Sequence, residues 1–278
     1  MSMRTRWLAP ALLCGLALFA CRKKAETVIT LAGSTSVQPF AERLAEVYMA
    51  AHKGVEVNVQ GGGSSAGVRA VQNGICQVGM SSRPLTYEER AIAEVPIALD
   101  GIVLIVHRDN PVRALTLEQA RRVFTGEVQS WRALGGADRR ITVITREEGS
   151  GTRSSFEDRV MAPPHERPAD PRPGPQPFAA DALVQDSNGA VREIVASDPA
   201  AIGYISFGLV DDRVRALELD GVAPSHDAIK SGAYPLVRRF LFLTSGKVAA
   251  PVRRFIDYAL GAEGQAVLEE EGLTTINR

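Results

Sequence analysis

The chain has 278 residues and a formal net charge of zero, with 32 Lys and Arg against 32 Asp and Glu. That balance provides no whole-molecule field for nucleic acid or an anionic membrane surface, so an anionic partner must be caught locally. A hydrophobic share of 45% with 23% charged residues excludes a disordered tail, and the length allows two lobes.

The first element in chain order is a targeting segment. Arg4 and Arg6 make a basic start, and Leu8 to Ala20 form an apolar run too short for a comfortable membrane span. Residues 1–20 are therefore read as a signal peptide outside the fold. The end of the run, Leu18-Phe19-Ala20-Cys21, resembles the lipobox of bacterial lipoproteins, in which the cysteine carries lipid and becomes the mature N-terminus. A plain signal peptide cut near Ala20 is the alternative. On the lipobox reading, residues 21–26 are anchor and tether, and lipid at Cys21 holds the protein to a membrane outside the cytoplasm. Cys14 leaves with the leader, so Cys76 is the one thiol left to the folded body. That inventory permits neither an internal disulfide nor a thiolate metal cluster, and Cys76 is expected to be a small core residue.

From Thr27 onward, apolar β-rich runs alternate with helical patterns, which reads as α/β. Strands are expected over Thr27 to Leu31, Val55 to Val59, Ile102 to His107 and Ile141 to Thr145. Val37, Phe40, Leu44, Val47 and Tyr48 recur at helical spacing, and Thr116 to Phe124 and Pro251 to Leu260 are further helix candidates. Three strands lead into turns of small and hydroxyl residues: Gly33-Ser34-Thr35-Ser36, Gly61-Gly62-Gly63-Ser64-Ser65 and Gly149-Ser150-Gly151-Thr152. Ser187-Asn188-Gly189 before Val191 to Ala196 is a fourth candidate. A helix N-terminus offers unpaired N–H groups and the positive end of a dipole, and Ser and Thr add neutral donors, so such turns can hold an anion. Each alone reads first as an N-cap, since Ser and Thr are favoured there, and it is their number that points to an anion. The carboxyl ends of strands in an open α/β sheet border one crevice, which lets several such turns converge. Residues 161–178 are Pro-rich and are expected to form an extended surface loop.

Several motifs fail on inspection. Gly61, Gly63 and Ala66 fit the loose dinucleotide-binding pattern, but Ser81-Ser82-Arg83 stands where its acidic residue is expected. There is no phosphate-binding loop of nucleotide hydrolases and no nucleophile elbow. His52, His107, His165 and His226 lack any metal-binding spacing, so no metal and no cofactor is expected, and a hydrolase has no recognisable nucleophile with a base.

Taken in order, the set Gly33 to Pro39, Gly61 to Gly67, Gly79 to Pro84, Arg146 to Arg153 and Ser187 to Ala190 closely resembles the phosphate-binding proteins of bacterial phosphate ABC importers. Ala201 to Gly208 and Gly232 to Leu236 look like the same family, so the resemblance covers nearly all of the mature chain. It implies a type II periplasmic-binding-protein fold of two α/β lobes, with lobe I at 27–108 and 233–278 and lobe II at 109–232. The strands crossing between the lobes would lie near 105–110 and 232–240. It further implies a protein that binds inorganic phosphate and delivers it to the membrane permease of an ABC importer; an anion sensor and a hydrolase are the alternatives, and a monomer is expected.

Carried over by motif, the ligand set is Ser34, Thr35, Ser36, Ser64 or Ser65, Ser82, Arg146, Ser150, Gly151 and Thr152, with Asn188 in support. The resemblance pairs Glu148 with Arg146, whose planar fork suits phosphate. Better-known members have an aspartate at the position of Ser82, accepting the proton of bound phosphate, whereas one branch carries serines there. A serine hydroxyl both donates and accepts, yet it does not repel a fully deprotonated anion as a carboxylate does. Arg83 reads either as a second ligand or as a structural partner for an acidic neighbour.

Overall fold

The computed structural model describes residues 26–163 and 174–276; the leader 1–20, Cys21 and residues 164–173 of the Pro-rich stretch lie outside them. The alternating pattern gives β1 (Thr27–Gly33), α1 (Gln38–Ala51), β2 (Val55–Gln60), α2 (Ser64–Gln72), β3 (Val78–Ser81) and a long β4 (Ala93–His107). There follow β5 (Ala114–Leu115), α3 (Leu117–Phe124), β6 (Thr142–Arg146), α4 (Gly151–Phe156), β7 (Leu183–Gln185) and α5 (Asn188–Ser197). The remaining elements are β8 (Ala201–Ser206), β9 (Val214–Ala216), β10 (Glu218–Leu219), α6 (His226–Ser231), β11 (Val237–Thr244), α7 (Ala250–Leu260) and α8 (Ala262–Glu270). Local chemistry sets several starts. Thr116 caps α3 through a reciprocal box, accepting from Gln119 N while the Gln119 side chain accepts from Thr116 N.

The sheet runs β2-β1-β3-β11-β4-β8-β6-β7, with β9 also on β4. β1 is parallel to β2 and β3, and β6 is parallel to β7 and β8, while β11 and β4 run antiparallel through the middle. Two cores result. Ile29, Leu31, Phe40, Leu44, Tyr48, Met80, Phe240 and Phe255 pack around the first half of the sheet. Val103 to Val106, Phe124, Trp131, Ile144, Phe156 and Tyr204 pack around the second. β4 serves both, because its partner changes from β11 to β8 between Gly101 and Ile102. The passage from one core to the other thus comes ahead of residue 105, where the sequence reading sets the first crossing. Cys76 is buried with Val68, Val71, Ile92, Leu241 and Leu243, as expected of a core thiol, and burial pushes that thiol's pKa up. Phe178, at the end of the Pro-rich stretch, stacks on Phe156 and Tyr204, so this end of the stretch is tied to the second core.

Candidate functional site

The carboxyl ends of β1 and β3 deliver Ser34 and Ser82, the turn after β2 delivers Ser64, and the end of β6 delivers Arg146. Close approach depends on two glycines. Gly33 has φ +137°, and a Cβ there would run into the backbone of Met80 and Gly67, so only glycine lets β1, α2 and β3 meet. A Cβ on Gly151 would overlap Ser64 Oγ and Ser82 Oγ, which places the start of α4 directly against the hydroxyls of the first half.

The hydroxyls form one connected, buried network. Ser34 Oγ donates to Ser82 Oγ at 2.9 Å, and Ser82 N donates to Ser64 Oγ at 3.1 Å. Ser36 Oγ and Thr152 Oγ1 lie 2.6 Å apart across the cleft, and Asn188 Nδ2 donates to Ser36 Oγ at 2.9 Å. The capping and cleft readings of the turns are both realised, by neighbouring residues. Ser150 caps α4 and Ser187 caps α5 with their side chains, while Thr152 and Asn188 reach the network. Ser34 Oγ also accepts from Ser36 N at 3.2 Å, fixing its own turn. Gly63, by contrast, precedes α2 without a side-chain cap, which leaves Ser64 to the network.

Arg146 is fully buried. Its Nη2 donates to Thr35 Oγ1 at 2.9 Å and to the Asp186 carbonyl at 3.0 Å, and its Nε donates to the Gln185 carbonyl at 3.2 Å. Tyr204, whose phenol pKa burial pushes up, accepts from Arg146 N and pairs with Thr145 Oγ1, stiffening the end of β6. Nη1 of Arg146 is buried and meets no hydrogen-bond partner among the described residues. A buried guanidinium nitrogen without an acceptor is costly, so an acceptor-rich ligand fits there.

The carboxylate that holds this arginine is Glu147, at 2.9 Å from Nε and 3.1 Å from Nη2. Glu148 is exposed and borders a shallow outer pocket with Ser65, Arg83 and Arg153. The expected Arg146–Glu148 pair is thus replaced by a pair with the adjacent residue, because the chain turns outward at Gly149, where φ is +91°. Ser65 and Arg83 also part from the network. Arg83 clamps Glu89 with two bonds of 2.8 and 2.9 Å and reaches Ser65 Oγ at 3.3 Å, which makes it a structural partner for an acidic neighbour. Those bonds hold the Glu89 carboxyl below its usual range.

Sequence reasoning missed Asp100, Ser206 and Arg238. Arg238 Nε donates to Asp100 Oδ2 at 2.8 Å, Ser206 Oγ donates to Asp100 Oδ1 at 2.7 Å, and Arg238 Nη1 donates to Thr152 Oγ1 at 2.8 Å. Burial pushes Asp100 up and Arg238 down, and their mutual attraction opposes both shifts. Part of the signal was present: the lone acid in Ile97-Ala98-Leu99-Asp100-Gly101-Ile102 is a charge in an apolar strand that needs a partner, whereas Arg238 and Arg239 stand side by side before Phe240 and only the alternation of β11 turns the first inward. Among the described residues, no group of three or more His, Cys, Asp or Glu is placed to hold a metal ion.

This arrangement, a buried arginine fork with an unpartnered nitrogen beside connected hydroxyls, suits an oxyanion. Residues 22–263 match the family model of the PBP superfamily domain. The phosphate-binding protein PstS of Bacillus subtilis is 30% identical over 256 residues, covering 90% of this chain and 81% of its own. PstS of Borreliella burgdorferi is 28% identical, covering 93% and 94%. A phosphate ABC transporter substrate-binding protein of Clostridium perfringens, solved with bound phosphate, superposes with a TM-score of 0.83 at 36% identity, covering 90% of this chain and all of its own. An ABC-type phosphate transport receptor of Vibrio cholerae gives 0.72 at 34% identity, covering 89% and 99%. The chain belongs to the PBP superfamily and, within it, to the phosphate-binding proteins of phosphate ABC transporters.

Proposed function

We propose that Ser34, Thr35, Ser36, Ser64, Ser82, Arg146, Gly151 and Thr152 are the binding site for inorganic phosphate, with Asn188 and Glu147 positioning them. Phosphate binding for ABC transport follows from the family to which the chain belongs. The observation that carries the site is the buried Nη1 of Arg146, which meets no hydrogen-bond partner among the described residues, on an arginine whose Nη2 reaches Thr35 Oγ1 across the sheet. In this reading, two lobes approximated by 27–108 with 233–278 and by 109–232 close on the anion. The protein then presents it to the permease of an ABC importer. It acts as a binding protein and not an enzyme, works as a monomer outside the cytoplasm, and is tethered by lipid at Cys21. Support for the tether is the lipobox-like sequence Leu18-Phe19-Ala20-Cys21.

Equilibrium dialysis with radiolabelled phosphate tests the site. Saturable binding of one phosphate per chain is expected, displaced by arsenate more readily than by sulfate or molybdate. Retention of no phosphate by the folded protein would overturn the reading. For the tether, Cys21→Ser is expected to release the protein or leave it unprocessed, and normal processing with lipid label would contradict it.

A further inference from the structure

Arg146 accounts for one cation at the site, yet the same network touches a second. Arg238 sits on β11, a strand that crosses between the two cores, with its side chain 3% exposed and the side chain of its partner Asp100 fully buried. Its Nη1 reaches both walls, donating to Thr152 Oγ1 at 2.8 Å and lying 3.4 Å from the Ser82 carbonyl. Thr152 Oγ1 in turn pairs with Ser36 Oγ. Asp100 is held by Ser206 Oγ, and Ser206 N donates to Asn188 Oδ1, so the guanidinium is oriented by a chain of bonds leading back into the cleft. Like Arg146, Arg238 has a buried nitrogen, Nη2, with no hydrogen-bond partner among the described residues. A salt bridge built only to join β4 to β11 has no use for a donor left unpaired beside hydroxyls, since such a donor carries a desolvation cost.

Resting on the phosphate site argued above, we infer that Arg238 is a second cationic contact of the bound anion, mounted on a crossing strand and aimed by Asp100 and Ser206. The ligand is thereby gripped from three directions: hydroxyls of the first half, Arg146 of the second, and an arginine on the strand between them. The pair of orphaned guanidinium nitrogens suits a doubly charged tetrahedral anion, because each offers a charge-assisted bond. Arg238 also borders a cavity of about 580 Å³ lined in part by Pro84, Leu99, Ser155 and Leu241, on which Nη2 could instead be hydrated, and the test separates the two.

The test has a binding arm and a structural arm. Calorimetric titration with phosphate above and below its second ionisation compares the native protein with Arg238→Gln, Arg238→Lys and Arg146→Gln. Arg238→Gln is expected to weaken binding by more than about tenfold and to reduce the preference for the dianion, with Arg238→Lys recovering part of both. A purely structural arginine would leave the dianion preference unmoved. Native affinity and dianion preference in Arg238→Gln, with binding lost in Arg146→Gln, would refute the second contact while leaving the phosphate site intact. Unchanged binding in both variants would refute the site itself. Because Arg238→Gln can fail to fold, the second arm uses the native protein. A crystal structure with phosphate is expected to place a phosphate oxygen within hydrogen-bond distance of Arg238 Nη2, and water or cavity solvent alone on that nitrogen would overturn the inference.

Discussion

On the β1–β3 side of the cleft, the groups in the network are the uncharged hydroxyls of Ser34, Ser36, Ser64 and Ser82, whereas the β6 side brings a fully buried cation, Arg146, already paired with Glu147. The two walls do different work. A hydroxyl rotates, donating or accepting as the ligand's protonation requires, and it carries no net charge into the closed cleft. A guanidinium fixed by Glu147, Gln185 O and Asp186 O presents a set direction and a set sign. On the proposed phosphate site, anion selection is assigned to the arginines, Arg146 foremost, and tolerance of the ligand's proton to the hydroxyl wall.

Breaking the charged wall should have the largest effect. Arg146→Ala is expected to weaken phosphate binding by about 2–5 kcal/mol, because a buried charge-assisted contact is lost and Glu147 is left without its partner. Arg146→Lys should recover only part, since an ammonium cannot reproduce the fork. Calorimetry on both variants checks this, and native affinity in the alanine variant would remove Arg146 from the site.

Next comes the junction between the walls. Gly151→Ala is expected to cost about 1–3 kcal/mol in phosphate affinity, because the added methyl overlaps the hydroxyls of Ser64 and Ser82 and pushes the walls apart. The same titration reads it out, and undiminished affinity would mean that the start of α4 can retreat without loosening the grip.

The neutral wall can be sharpened rather than broken. Ser82→Asp puts a carboxylate among the hydroxyls, where it can accept the proton of phosphate but faces unprotonated sulfate as a like charge. The phosphate-to-sulfate preference should rise by about 1–2 kcal/mol, while absolute phosphate affinity falls through the cost of burying the carboxylate. Competition titrations decide it. An unchanged ratio would assign selectivity to a group other than the Ser82 side chain.

The smallest effect lies outside the cleft. Arg83 holds Glu89 below the usual glutamate range, so this pair adds stability above the unfolded glutamate value of about 4.3 and loses it as pH falls through the lower folded value. Glu89→Gln should therefore cost about 1 kcal/mol near neutrality and almost nothing once Glu89 is protonated in both the folded and the unfolded chain. Urea unfolding at the two pH values checks the sign, with phosphate affinity staying native because Arg83 serves structure.

How much of this was legible in the sequence follows the same division. β1, β2, α1, α3 and α7 were readable because their apolar residues repeat with the strand or helix period, and the glycine–serine turns were readable because their composition is local. The pairing of Arg146 with Glu147 rather than Glu148 was not, because it depends on where the backbone turns at Gly149. From sequence Arg83 reads either as ligand or as structural partner, and the acidic partner itself, Glu89, shows only in the fold. Asp100 and Arg238 are 138 residues apart, so nothing local in the sequence joins them, and the pair is visible only once β4 and β11 lie side by side.

Whether both walls act on one anion is decided by a double-mutant cycle across the cleft. Phosphate affinities are measured for Ser64→Ala, Arg146→Lys and the double variant, since Ser64 belongs to the network without capping its helix. Two groups holding one ligand should be coupled, so an interaction energy above about 0.5 kcal/mol is expected. Losses that simply add, to within about 0.5 kcal/mol, would contradict it.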